Sequence, residues 1–201
     1  MFVVSAGEYM DYSNYLWVED RAGKTPEAVR TLMSQKQSDG LRNMHIHNMD
    51  ISHGEYSEND LRGSRFERVC FNNSKMKACL LHESIFQECD LSQTDLSSSH
   101  IWCGNFSGCD LSESNLKYAN INSQPDLKKL SKKYCLKTRF NNSNLERADL
   151  SFGDFRLADF SGASLSGCNI TNTILNDAVI DKKYQKELKL TEEQYRGIQW
   201  V

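Results

Sequence analysis

Residues 86–116 read FQECD LSQTD LSSSH IWCGN FSGCD LSESN L in blocks of five, and every block opens on a large apolar residue. Extended outward, the series runs without a miss through Ile46, Ile51, Tyr56, Leu61, Phe66, Phe71, Met76, Leu81, Phe86, Leu91, Leu96, Ile101, Phe106, Leu111, Leu116 and Ile121. It resumes as Phe140, Leu145, Leu150, Phe155, Phe160, Leu165, Ile170, Leu175 and Ile180. Two places before each centre the residue is mostly small, as at Ser74, Cys89, Thr94, Gly104, Cys109 and Ala158. The place between is often Asp or Asn, as at Asp90, Asp95, Asn105, Asp110, Asp149 and Asp159.

A period of five belongs to neither regular element. On an α-helix it turns the apolar set by about 140° per step and spirals it around every side. On a flat strand five is odd, so the set alternates between faces. The period is consistent with a backbone that turns through a constant angle at each unit and points each centre inward. Four right-angle turns close a coil of twenty residues, and successive coils stack at about 4.8 Å. Short Asp, Asn, Ser and Gly side chains suit the corners. The architecture this predicts is all-β: a quadrilateral β-helix of about six coils.

The gap between Ile121 and Phe140 tests the coil. One repeat needs five residues and the chain supplies nineteen, so fourteen are extra. If they bulge from one corner, Phe140 falls on the face of Phe106. The arithmetic then aligns Phe66, Phe86, Phe106, Phe140 and Phe160 in one column, although residue identity played no part in placing the bulge.

These units resemble the pentapeptide-repeat family, whose motif is a small residue, Asp or Asn, a large Leu or Phe, and two polar positions. The resemblance covers roughly residues 42–181. It implies an all-β solenoid, the right-handed quadrilateral β-helix, strongly and function weakly. Some family members match duplex DNA in width and charge and bind type II topoisomerases in its place. Relatives of that kind protect DNA gyrase from quinolones or peptide toxins, with help from projecting loops.

Three segments fall outside the period. In residues 1–41, Thr25-Pro26-Glu27 reads as an N-cap, a first-position proline and an acidic first turn, opening a helix that runs to about Gln37. The segment reads either as a cap on the lower end of the coils or as a targeting tail. The loop 122–139 carries Lys128, Lys129, Lys132, Lys133, Lys137 and Arg139 against Asp126, a net charge of +5. Pro125, Leu127, Leu130 and Tyr134 predict one short helix there, and the loop reads as a neutral insertion or as a partner contact. In residues 182–201, Thr191 and Gln194 form a capping-box pattern, so a last helix starts there. Tyr184, Leu188, Ile198 and Trp200 need burial, either over the upper end of the coils or against a second copy. C-terminal helices make dimers in relatives, so the resemblance favours a homodimer whose tail deletion gives a monomer.

Of 201 residues, 39% are apolar, with mean hydropathy −0.61 and net charge −3. A layered core would be thin on that composition, whereas a solenoid needs only one line of apolar residues along its axis. No stretch approaches a membrane span. The opening MFVVSAGEYMDYSNYLWVEDR lacks a basic region followed by an apolar run, so no cleaved secretory signal is expected. Seven cysteines without CxxC pairs read as reduced thiols, and the expected location is the cytoplasm. Cys89 and Cys109 should be inward neighbours, packed as thiols or joined as a disulfide.

No catalytic motif, cofactor fingerprint or metal-ligand pattern is present, so neither an enzyme nor a cofactor or metal is expected. His45, His47 and His53 fall on outward positions and are expected to be solvated. His82 should lie under Trp102 with His100 nearby, making Trp102 a candidate contact. Outside the loop the rod is mildly acidic: residues 41–121 and 140–181 each carry −4. Two functions follow. In the first, the chain regulates a type II topoisomerase as a DNA mimic, without binding nucleic acid itself. Asp90, Asp95, Asp110, Glu113, Asp149 and Asp159 then stand in for phosphates, and Lys128, Lys129, Lys132 and Lys133 make the loop contact. In the second, it is an interaction scaffold or a bacterial effector secreted into a host cell without a cleaved signal.

Overall fold

The computed structural model describes residues 16–17, 25–35, 41–121 and 137–201. They form a right-handed quadrilateral β-helix. Two short parallel sheets mark one side of it. Strands β1 (Leu16–Trp17), β2 (Met44–His47), β3 (Arg65–Glu67) and β4 (Ile85–Gln87) pair in that order, and β5 (Val179–Ile180) pairs with β6 (Gln199–Trp200). On all four sides single parallel bridges continue the ladder, as in Asp90↔Asp110 and Leu80↔His100.

The bridge partners carry the period. Below the loop they are twenty residues apart, as in Asp95↔Asn115. Across it they are thirty-four apart in Asn105↔Arg139, Asp110↔Asn144, Asn115↔Asp149 and Asn120↔Asp154, and above it they return to twenty. The fourteen extra residues therefore leave the coil at one corner without shifting the register.

Every centre from Ile46 to Ile180 is buried, and Leu41 extends the series one unit earlier than the sequence reading had it. The phenylalanine column stacks throughout: Phe66–Phe86 at 4.7 Å, Phe86–Phe106 at 4.7 Å, Phe106–Phe140 at 5.3 Å and Phe140–Phe160 at 5.0 Å between ring centroids. The small residue two places earlier leaves room for the ring that follows. A Cβ on Gly54 would lie 2.0 Å from the Tyr56 ring, and one on Gly153 would lie 2.4 Å from Phe155. Where that residue is polar, its group donates in several coils to a carbonyl of the coil below. Examples are Thr94 Oγ1 to Phe71 O at 2.9 Å, Ser99 Oγ to Met76 O at 2.9 Å and Cys79 Sγ to Tyr56 O at 3.2 Å. Ser84 and Ser143 instead donate to Leu81 O and Phe140 O of their own coil.

The corners differ from the sequence reading. The residue with positive φ is the second after the centre, and it includes Glu58, Arg68, Glu88, Gln93 and Tyr118 as well as Asn and Gly. The Asp or Asn before the centre instead lies in the ladder and ties the turn from outside. Asp90 Oδ1, for example, accepts from the backbone N–H of Ser92 at 2.9 Å. The carboxylate satisfies the turn, so nearly any side chain can take the left-handed place.

Both ends are covered by non-repeat chain. Helix α1 (Pro26–Ser34) is capped by Thr25 and buries Val29 and Met33, and Met33 O accepts from Asn59 Nδ2 at 2.7 Å. Its described end is Ser34, short of Gln37. At the other end a 3-10 turn (Lys182–Gln185) leads to α2 (Glu192–Gly197), whose N-terminus has the full capping box of Thr191 and Gln194. Tyr184, Leu188 and Ile198 are buried within this chain, and Trp200 packs against the same core while part of it stays exposed. Among the described residues no helix is long and apolar enough to cross a membrane.

Candidate protein-binding surface

The six acidic candidates do not form one patch. Asp90 and Asp110 are stacked in successive coils on one side, and Asp95 and Asp149 belong to the ladder of the next side. Glu113 lies at the corner between those two sides. Asp159 lies in the ladder of Arg139 and Val179, on the far side of the coil from Asp95.

Each aspartate has a structural duty. Asp95 Oδ1 accepts from Ser97 N at 2.9 Å and Asn115 Nδ2 at 3.0 Å, and Asp149 Oδ1 accepts from Ser151 N at 2.9 Å and Asn169 Nδ2 at 3.0 Å. Asp110 Oδ1 accepts from Ser112 N at 3.0 Å and Asn144 Nδ2 at 3.1 Å. Acid and amide thus alternate up the rod, Asp95–Asn115–Asp149–Asn169, and each amide bridges toward a carboxylate. In Asp95, Asp110 and Asp149 these bonds fall on Oδ1 and leave Oδ2 for a partner. All three side chains are only partly exposed.

Glu113 is exposed, and it is met by Arg147 at 3.4 Å and Gln93 Nε2 at 3.1 Å. Such an exposed pair adds little to stability. For Asp159 burial opposes ionisation, but hydrogen bonds from Asn141 and Ser161 outweigh it and hold the carboxyl below its ordinary range. Lys128, Lys129, Lys132 and Lys133 lie outside the described residues.

Trp102 is half-buried rather than exposed. Its ring meets His82 edge-on at 6.3 Å, and His82 meets His100 at 6.0 Å. Burial, followed by the neighbouring His100, holds the His82 pKa below the usual histidine value. His45 is likewise buried, contrary to its expected solvation: its ring packs on His47 at 5.7 Å and faces Glu67 at 3.4 Å. In the ladder His45 lies between Trp17 of β1 and Arg65 of β3.

Burial pushes the Cys79 and Cys168 thiols up to about 12. Cys89 and Cys109 are free thiols, and the hydrogen bond that the Cys109 thiol donates to Cys89, together with burial, pushes Cys109 up. Among the described residues no group of His, Cys, Asp and Glu is placed to hold a metal ion.

A rod of stacked five-residue turns with a solvent-facing polar surface defines a repeat solenoid of the binding type. The pentapeptide-repeat family model matches it in eight copies, over residues 74–112, 89–123 and 138–177. This chain is a pentapeptide-repeat protein. Among solved structures it is similar to full-length QnrB1, described as a plasmid-mediated fluoroquinolone resistance protein, at 16% identity over 80% of this chain and 83% of that one, with a TM-score of 0.48. It is also similar to HetL of Nostoc sp. strain PCC 7120, described as involved in heterocyst differentiation regulation, at 16% identity over 77% and 94%, with a TM-score of 0.30. A third is a pentapeptide-repeat protein of the Arabidopsis thaliana thylakoid lumen, at 14% identity over 82% and 75%, with a TM-score of 0.18. None of the curated proteins compared matches the chain.

Proposed function

We propose that this chain is a protein-binding module without catalysis of its own, and that its acidic sides engage a type II topoisomerase such as DNA gyrase in place of DNA. The observation that carries the reading is the stacking of Asp90 on Asp110 beside the Asp95–Asn115–Asp149 ladder. Backbone pairing puts Asp90 and Asp110 about one ladder step apart, near 4.8 Å, and Asp95 and Asp149 about two steps apart, near 10 Å, and the bonds to Oδ1 hold them in place. A surface built to neutralise phosphates with Lys and Arg would meet a regular negative field on a rod that cannot bend away. The loop lysines Lys128, Lys129, Lys132 and Lys133 supply a contact of opposite sign, and Trp102 an apolar one.

The test is gyrase supercoiling with purified full-length chain, with and without a quinolone. Altered supercoiling, or rescue from the drug, that weakens with added salt supports the reading. No effect at any concentration up to a large molar excess over gyrase ends it.

A further inference from the structure

We propose that one corner of the rod, running from Lys77 to Ile174, is a docking strip for an extended acidic peptide segment that carries an apolar anchor residue. The strip is set by backbone pairing. Ala78, Ser98, Tyr118, Phe152 and Asn172 succeed one another up the corner through Ala78 N to Ser97 O, Ser98 N to Lys117 O, Tyr118 N to Ser151 O and Phe152 N to Thr171 O.

Tyr118 and Phe152 carry the anchor position. Both have positive φ, 60° and 58°, a conformation that bulky side chains rarely adopt. The other left-handed corners of the described coils hold polar or small residues, apart from Leu157. Both rings are nevertheless exposed, at 54% and 45%. They lie 5.3 Å apart, and Lys117 Nζ sits over both, at 5.3 and 5.4 Å from the centroids. Two aromatic rings set side by side in solvent gain the fold little burial, and a rigid aromatic pair is a ready anchor for a partner side chain.

Charge selects the occupant. The strip comprises residues 77–80, 97–100, 117–120, 151–154 and 171–174. Its charged residues are Lys77, Lys117 and Asp154, and Asp154 is neutralised by Arg156 at 2.5 Å. Glu58 continues the same corner one coil below Ala78, so the positive stretch is the part between Lys77 and Lys117, and there an acidic segment is attracted and a basic one repelled. Four ladder steps span about 19 Å, the length of about six extended residues. Beyond Phe152 the strip ends at exposed Ile174 and a cavity of about 280 Å³ between the last coil and α2, lined by Asn172, Thr173, Ile174, Thr191, Glu193 and Gln194. Glu193 at one end and Glu58 at the other leave the span between Lys77 and Lys117 for the acidic residues of the ligand.

The probe is a fluorescein-labelled peptide, Asp-Glu-Asp-Phe-Ser-Leu, titrated with full-length protein and followed by anisotropy. Binding below about 1 mM is expected. It should weaken about tenfold or more in the Tyr118→Asn/Phe152→Asn variant, in the Lys77→Glu/Lys117→Glu variant, and for a peptide with Lys in place of its acidic residues. Asn tolerates positive φ, so the aromatic variant should keep or raise its melting temperature. A marked fall in that temperature would make the pair a structural device and overturn the proposal. So would absence of binding, equal binding of the basic peptide, or self-association of the chain that the aromatic variant abolishes.

Discussion

Phe106 stacks on Phe140 with ring planes 11° apart, although the two are thirty-four positions apart in the chain. Phe106 also stacks on Phe86 at 4.7 Å, so its ring is held from both sides in the axis of the rod. Phe106→Ala should therefore leave a cavity that neighbouring coils cannot close, at a cost of about 3–5 kcal/mol. Urea unfolding measures it. A loss below about 1 kcal/mol would contradict the stacked column.

The same relationship predicts that the loop is dispensable for folding. Removing residues 123–136 joins Asn122 to Lys137 and restores five residues from Ile121 to Phe140, with Thr138 in the small inward place. Thr138 already donates to Ile101 O at 3.0 Å. Stability should stay within about 1–2 kcal/mol of the parent, because loop length alters closure entropy slowly. If the loop contacts a partner, charge reversal at Lys128, Lys129, Lys132 and Lys133 should weaken binding at unchanged melting temperature. A deletion variant that fails to fold would show that the loop holds the coils together.

Asp90, Asp95, Asp110 and Asp149 can be tested for charge without disturbing the turns. Changing all four to Asn keeps an Oδ1 acceptor for the N–H groups of Ser92, Ser97, Ser112 and Ser151. The melting temperature should move little, while topoisomerase inhibition falls and loses its salt dependence. Inhibition that persists unchanged would remove these carboxylates from the interface.

Acid should unfold the lower end first. Asp60 is buried, and although burial opposes its ionisation, hydrogen bonds from Arg62 and Arg42 outweigh that and hold it at about 2. The folded value lies below the unfolded one, so its contribution is full above about pH 4 and disappears as pH falls toward 2. The size is about 2 kcal/mol. His45, lowered chiefly by burial, acts in the same direction, with its contribution declining as pH falls below 6.5. Unfolding free energies at pH 7, 5, 4 and 3 should fall more steeply in the parent than in Asp60→Asn. Parallel curves would refute the Asp60 part.

The tail makes an opposite pair of outcomes measurable. Gln199 N donates to Ala178 O at 2.8 Å and Val201 N to Ile180 O at 3.1 Å, so β6 covers the edge of β5. Deleting residues 198–201 should uncover that edge, lower stability and promote association. Light scattering that instead shows a dimer turning into a stable monomer would make the tail a dimer contact.

The period of five, the twenty-residue coil, the inward column and the capped helices at Thr25 and Thr191 were all legible in the residues. They rest on local rules: which side chain faces inward at a fixed step, and which residue caps a helix. The phenylalanine column was legible for the same reason, since a strict repeat makes long-range neighbours a matter of counting.

Counting stopped where a side chain's state depends on several coils at once. Asp90 and Asp149 carry the same motif letter as any corner residue, yet it took three dimensions to show them tying turns through Oδ1. His45 is buried in the ladder between β1 and β3, and β1 lies outside the repeat. Tyr184, Leu188 and Ile198 announced only a need for cover, and the packing of the last coil supplied it within the chain. Tyr118 and Phe152 look like two unremarkable repeat positions thirty-four residues apart; stacking of successive coils brings their rings together under one lysine. The distinction is physical: a repeat dictates backbone geometry locally, but exposure and charge balance are sums over neighbours that the chain order does not contain.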